Sequence, residues 1–326
     1  MRESVRAART YRVTRIGAAA LLGFSVLLTS ACLDEETTGT PVTSAEGGVG
    51  GPQAPAGPGA QPDSADSSGR AVVRTVGKTG WFEGFEITVD KATVVPDEYG
   101  GGKVLIDITY ENTGLEAATL SNNSHLEMGR EVDGGAGFDN PTVPGKGSAT
   151  GKVTTPVQVL KDADHLLDTL TVVYGEASDN QTRIPLAASS KVESVQPRTL
   201  PITGTLVQDP TTVEITGATL GPSYAKNERG KDELALRIKL VGGAGISDGG
   251  TNIYYQYFSL KTPDGRTVVA DFRGTINELL GRGETIDNPL NYVIFVVPTP
   301  TAGQYVVTYN ADKDPGTAAS MPFTVS

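Results

Sequence analysis

Across 326 residues, 27 Lys and Arg stand against 38 Asp and Glu, a net charge of −11 at pH 7, and there is a single cysteine. So acidic a chain is a poor partner for nucleic acid or anionic lipid headgroups. One cysteine permits no internal disulfide, so each folded domain has to be held by its own apolar core and needs about 80 residues or more.

The N-terminus has the layout of an export signal. Arg2, Arg6, Arg9, Arg12 and Arg15 form a basic n-region, and Ile16 to Ala31 form an apolar h-region. The small residues Thr29, Ser30 and Ala31 lead into Cys32, the only cysteine. This resembles the lipobox of bacterial lipoproteins, in which a small residue precedes a cysteine that is acylated and becomes the mature N-terminus. Leu28 stands four residues before Cys32, and Thr29 takes the position three before it. The resemblance implies lipid attachment at Cys32 and a place on the outer face of the cell membrane. Two alternatives stay open. Thr29-Ser30-Ala31 also suits an ordinary signal peptidase, which gives a secreted protein if Cys32 is not acylated. An uncleaved anchor is the other, though a spanning helix needs about 20 apolar residues. All three put the rest of the chain outside the cytoplasm. Without the first 32 residues, 22 basic and 37 acidic residues remain, a net charge of −15.

Residues 1–31 are therefore read as the signal and 32–70 as a tether. From Leu33 to Gly69 there is almost no apolar patterning, and Thr, Ser, Gly, Pro, Ala and acids dominate. Such a segment buries too little surface to offset its ordering entropy and is expected to be disordered. As a flexible coil it spans about 35 Å. Nothing in it encodes a specific partner.

From Ala71 the texture changes to short alternating segments. Val104, Ile106, Ile108 and Tyr110 alternate with Asp107, Thr109 and Glu111, and Leu234, Leu236, Ile238 and Leu240 with Ala235, Arg237 and Lys239. Period two with β-branched enrichment predicts strands buried on one face. Turn signals divide them at Asn112-Thr113-Gly114, Thr262-Pro263-Asp264-Gly265 and Asp314-Pro315-Gly316. Only Asp162–Leu167 and Ile276–Leu280 are read as single helical turns, so the chain is all-β.

The pattern also repeats. Phe85-Glu86-Ile87-Thr88 is echoed by Val213-Glu214-Ile215-Thr216, and Leu170-Thr171-Val172-Val173-Tyr174 by Tyr305-Val306-Val307-Thr308-Tyr309. A proline-bearing strand ends each half, Ile184-Pro185-Leu186 and Met321-Pro322-Phe323, which suits an edge position. The offset runs from 128 residues at Glu86/Glu214 to 137 at Pro185/Pro322. A period that long is a duplicated domain rather than a solenoid unit of about 20 to 50 residues. The expected domains are 71–190 and 198–326, each with seven or eight strands, the pattern of tandem immunoglobulin-like β-sandwiches.

The residues Val76-Gly77-Lys78, Phe85 to Val89 and Lys103 to Gly114, ending in Asn112-Thr113-Gly114, are similar to a bacterial family of uncharacterised Ig-like domains. Members of that family follow lipoprotein signals and share the fold of a secreted mycobacterial immunoprotective antigen. The second half has Val241-Gly242-Gly243 in place of the Asn-Thr-Gly element but carries Leu260 to Gly265, ending in the Asp-Gly turn. The resemblance implies an Ig-like fold and no catalytic residues.

Chemistry-bearing residues are sparse. His125 and His165 lie far apart in one half with no cysteine or third histidine to complete a metal site, so they read as loop or strand-end imidazoles. Gly221-Pro222-Ser223-Tyr224-Ala225 lacks the second glycine and the helix of a nucleophile elbow and reads as a turn. Asn310, Asp312 and Asp314 alternate as in a calcium loop, but Met321 stands where a bidentate Glu belongs, which leaves only weak calcium binding open there. No paired carboxylates stand out, and no catalytic residue, metal ligand or cofactor is assigned. Tyr254, Tyr255, Tyr257 and Phe258 are expected in one strand, Tyr254 and Phe258 on one face and Tyr255 and Tyr257 on the other, as a possible contact surface. Trp81, the only tryptophan, is expected to plug the end of the first sandwich. The function expected is a non-enzymatic, lipid-anchored binding or adaptor protein that contacts another envelope protein. A small-ligand or glycan binder using the inter-domain cleft or the tyrosine strand is the alternative.

Overall fold

A computed structural model describes residues 69–120, 123–299 and 302–326. Cys32, the signal and nearly all of the tether lie outside the described residues. The chain is all-β there, with one α-helix, Ala163–Thr169, at the predicted helical turn and capped by Asp162. Among the described residues, no helix is long and apolar enough to cross a membrane.

Two apolar clusters organise the strands, one drawn from residues between Phe82 and Leu186 and one from residues between Leu200 and Val325. Around the first, a five-stranded antiparallel sheet runs in the order Val72–Phe82, Phe85–Pro96, Gly102–Asn112, Ser148–Val157, Gly137–Asp139. A four-stranded sheet completes it: Thr182–Pro185, Leu170–Tyr174, Ser124–Met128, Glu131–Val132. Around the second, Thr211–Pro222 and Lys231–Gly242 are the central pair, and Gly303–Tyr309 lies between Phe258–Lys261 and Ala319–Val325. The alternation read from the sequence is the burial pattern. Val104, Ile106, Ile108 and Tyr110 are buried, as are Leu234, Leu236, Ile238 and Leu240. Pro185 and Pro322 stand on edge strands, where the absent N–H leaves no ladder bond unmade.

Each half has a long bulged strand, and the bulges change the alignment read from the sequence. The Phe85–Pro96 strand carries a bulge between Val89 and Lys91, and Thr211–Pro222 carries one between Ile215 and Gly217. Each bulge inserts one residue, so the buried positions change parity, from Ile87 and Val89 to Ala92 and Val94, and from Val213 and Ile215 to Ala218 and Leu220. Matching the bulges equates Ile87 with Val213 and Pro96 with Pro222. The alignment of Phe85-Glu86-Ile87-Thr88 with Val213-Glu214-Ile215-Thr216 is therefore two residues out of register. A slip of two keeps every side chain on its own face, which is why the sequence pattern tolerated it.

The predicted turns have specific chemistry. Glu83 and Gly84, both at positive φ (47° and 80°), join paired Phe82 and Phe85 in a two-residue hairpin. Buried Asn112 accepts from the Gly114 N–H at 2.8 Å and donates to the carbonyls of Glu116 and Val143 at 2.8 and 3.1 Å. That holds the Asn112-Thr113-Gly114 turn against Gly84, whose carbonyl receives the Thr113 N–H at 2.9 Å. Ile276–Leu280 departs from expectation. Asn277–Leu280 is a strand paired with Thr251–Tyr254, because a short apolar run takes its form from its partner. Trp81 is half-buried on the Val72–Phe82 strand and lies outside the first core cluster, to which its neighbour Phe82 belongs.

Gly151 shows how close the packing is. A Cβ there would overlap the Asp139 carbonyl and lie 2.8 Å from the Tyr110 ring. Gly151→Ala is expected to destabilise the protein by about 3 kcal/mol, since the ladder on both sides prevents the strand from moving aside. A fall in the urea midpoint at unchanged slope is the readout, and an unchanged midpoint contradicts it.

Candidate functional site

The expected tyrosine strand is not one strand. Thr251–Tyr254 ends at Tyr254, Tyr255–Tyr257 form a 3-10 turn, and Phe258–Lys261 begins a strand in a different sheet. Tyr254 pairs with Asn277, while Phe258 pairs with Tyr309, so the two ends belong to different ladders. The four aromatics accordingly have separate roles. Phe258 is buried core, 5.0 Å between ring centres from Tyr309. Tyr257 is half-buried against the same Tyr309 and meets Tyr254 edge-on at 5.7 Å. Tyr254 and Tyr255 line a groove of about 460 Å³ with Gln256, Phe272, Ile276 and Asn277. Phe272 is 75% exposed and was not singled out by sequence reasoning.

A second cavity of about 450 Å³ lies where the two halves meet, lined by Glu83, Pro197, Tyr224, Glu233, Ala235 and Arg273. The loop from Ser223 to Lys231 contributes Tyr224 and Ala225 to it. The Tyr224 hydroxyl donates to the Trp81 carbonyl at 2.9 Å, and its ring lies 4.5 Å from that of Phe82. Burial pushes the Tyr224 phenol up to about 12. Asn180, from the first half, donates to the Ser223, Lys231 and Glu228 carbonyls at 2.6, 2.8 and 3.2 Å and accepts from the Gly230 N–H at 2.9 Å. Buried Asp179 accepts from the Asn227 N–H at 2.6 Å. An amide and a carboxylate thus replace the water that the loop backbone would otherwise need.

Arg273 closes the floor of this cavity. It donates to Glu233 at 2.7 Å, to Glu228 and the Ser223 hydroxyl at 3.0 Å each, and to Asp271 at 2.8 Å. Ser223 is fully buried and also hydrogen-bonds Glu228 and Glu233. The Arg273 hydrogen bond holds the Asp271 carboxyl below its ordinary value. Burial pushes Glu228 up, but the Ser223 and Arg273 hydrogen bonds outweigh it and the net shift is downward. Glu233 is raised, because its burial outweighs the pull of Arg273. These paired carboxylates are the constellation that sequence reading missed, since Arg273 comes from 40 and 45 residues beyond Glu233 and Glu228. Gly221-Pro222-Ser223-Tyr224-Ala225 is a strand end and a turn, its serine spent on this ion cluster.

The remaining candidates are dispersed. His125 lies on the Ser124–Met128 strand, 3.6 Å from Glu127, and His165 is exposed on the helix. Asp314 accepts from the Gly316 N–H at 2.9 Å, and Asn310 accepts from Gln208 at 3.3 Å. Among the described residues, no three His, Cys, Asp or Glu side chains gather as a metal site.

No family model matches this chain, and no curated protein does. Among solved structures, a conserved domain protein from Bacillus anthracis is similar at 11% identity over 78% of this chain and 90% of that one, with a TM-score of 0.22.

Proposed function

We propose that this chain is a non-enzymatic, lipid-anchored binding or adaptor protein of the bacterial cell envelope. Two tandem immunoglobulin-like sandwiches, 71–190 and 198–326, would be displayed outside the cell from an acylated Cys32 and would contact another envelope protein. The observation that carries this reading is the junction. Asn180, Asp179 and Tyr224 tie the halves through partly buried hydrogen bonds. Such a junction suits a body that presents one fixed composite surface, whereas a hinge that closes on a substrate needs a weakly bonded interface.

Crosslinking of the full-length protein in its native membranes, followed by mass spectrometry, tests this. One dominant envelope protein is expected, recovered at reduced yield when Tyr224→Ala loosens the junction. Recovery of the protein alone would sink the adaptor reading. Cys32→Ser is expected to move the protein from the membrane fraction to the soluble one, and an unchanged membrane fraction would contradict lipid anchoring.

A second reading, small-ligand or glycan binding, is supported by the groove at Tyr254 and Phe272. The inter-half cavity supports it less, because its charged groups are already bonded to one another.

A further inference from the structure

We infer that the groove between Tyr254, Tyr255 and Phe272 is a binding site for a neutral saccharide, with Phe272 as the ring on which a sugar face stacks. The inference deepens the ligand-binding reading above and rests on it.

Phe272 carries the argument. It sits between Asp271 and Arg273, and both neighbours are pinned. The Asp271 carboxylate accepts from the Arg273 backbone N–H at 3.0 Å and from its guanidinium at 2.8 Å. The Asp271 N–H donates to the Ile294 carbonyl at 2.7 Å, and the Gly274 N–H to the Asp271 carbonyl at 3.0 Å. Arg273 is further held by Glu228, Glu233 and Ser223. The turn is therefore fixed by ion pairs on one side while it holds a phenylalanine 75% exposed on the other. A fixed backbone beneath an exposed ring removes the main-chain part of the ordering cost of stacking a ligand on it.

The rest of the groove defines the ligand class. None of the six side chains around it, Tyr254, Tyr255, Gln256, Phe272, Ile276 and Asn277, is charged, although the chain carries 20% charged residues and a net charge of −11. Charge attraction thus selects neither anions nor cations. Among the described residues, the hydroxyls of Tyr254 and Tyr255 and the side-chain amides of Gln256 and Asn277 have no hydrogen-bond partner, so their donors and acceptors are unspent. Rings for the apolar faces of a pyranose, with hydroxyls and amides for its equatorial hydroxyls, form a set complementary to a neutral sugar. A purely apolar ligand would leave the amides unused. The groove volume of about 460 Å³ accommodates a short oligosaccharide.

The test is a titration of isotope-labelled protein, residues 32–326 with the tether retained, with chitotriose and maltotriose, followed by NMR. p-Cresol serves as a non-saccharide aromatic probe. Chemical-shift changes confined to the groove are expected with at least one sugar, at an affinity in the range of about 0.1 to 10 mM. Phe272→Ala is expected to weaken that affinity about tenfold while the spectrum of both cores stays unchanged. Shifts with p-cresol and with neither sugar would overturn the saccharide assignment and leave a ligand groove. No response to any probe would remove both. Sugar binding that persists unchanged in Phe272→Ala would overturn the role of the exposed ring.

Discussion

Arg273→Met is expected to be less stable than the parent by about 3 kcal/mol at neutral pH, with the deficit shrinking towards about pH 4.5. The arginine faces Glu228, Glu233 and Asp271, and all four side chains are mostly withdrawn from water. Methionine keeps the volume and removes the charge, which leaves three half-buried carboxylates without their shared cation, with the Ser223 hydroxyl and Lys231 as partial compensation. The pH dependence follows from the direction of each shift. Glu228 and Asp271 are depressed in the folded parent, so their contribution is present above the unfolded value of about 4 and is lost as pH falls through the folded values. Glu233 is raised, and its contribution runs the other way, present below the unfolded value and lost as pH rises through the folded one. Without Arg273 the guanidinium hydrogen bonds are lost, while the Ser223 bond to Glu228 and the residue-273 N–H to Asp271 remain, so all three carboxyls move upward from their values in the parent. Relative to the parent, the variant therefore loses stability as pH rises through the carboxylate range. Urea denaturation of both proteins at several pH values measures this. A deficit that stays constant from acid to neutral would show that the carboxylates are not stranded.

Tyr224→Ala combined with Asn180→Ala is expected to split unfolding into two transitions. The parent has two separate apolar clusters, and Tyr224 belongs by packing to the first although its backbone belongs to the second half. Its ring contacts Phe82, which in turn lies 5.9 Å from Tyr174 in the first core. Removing the ring and the Asn180 amide costs about 4 kcal/mol of coupling, from lost apolar contact and from loop carbonyls left without donors. Once coupling falls below the stability difference between the clusters, the weaker one unfolds alone. Differential scanning calorimetry reads the outcome directly. A single transition with a small shift in midpoint would mean that the junction contributes little and the halves are coupled elsewhere.

The tyrosine pair of the first half has no full counterpart in the second. Tyr110 and Tyr174 share a buried hydrogen bond at 3.0 Å, and burial raises both phenols, Tyr110 to about 12. In the second half Tyr309 stands where Tyr174 does, but Leu240 occupies the place of Tyr110. The sequence echo Val-Val-Tyr against Val-Val-Thr-Tyr marks the strand without revealing that its polar partner is gone. Equivalent positions keep their burial far more readily than their hydrogen bonds, because any apolar residue of similar size satisfies burial.

Residue alternation determined by itself that this chain is all-β, and it located the long central strands and most turns. Burial on one face imposes period two on consecutive residues, and a turn such as Thr262-Pro263-Asp264-Gly265 is built from its own residues, with the Thr262 hydroxyl donating to the Asp264 carboxylate and the Thr262 N–H to the Arg266 carbonyl at 2.9 Å. The parity change from Val89 to Ala92 was written in the sequence as well, since a bulge leaves a local mark. Tyr254 to Phe258 looked like continuous alternation because a 3-10 turn of three residues scarcely disturbs the pattern. Only the separate pairing of Tyr254 with Asn277 and of Phe258 with Tyr309 breaks the strand. The tertiary structure alone decided the Arg273 cluster, the locked junction and the groove under Phe272. Each joins side chains from segments well separated in the sequence, and such convergence is set by strand order and by which loops meet, neither of which a local pattern encodes.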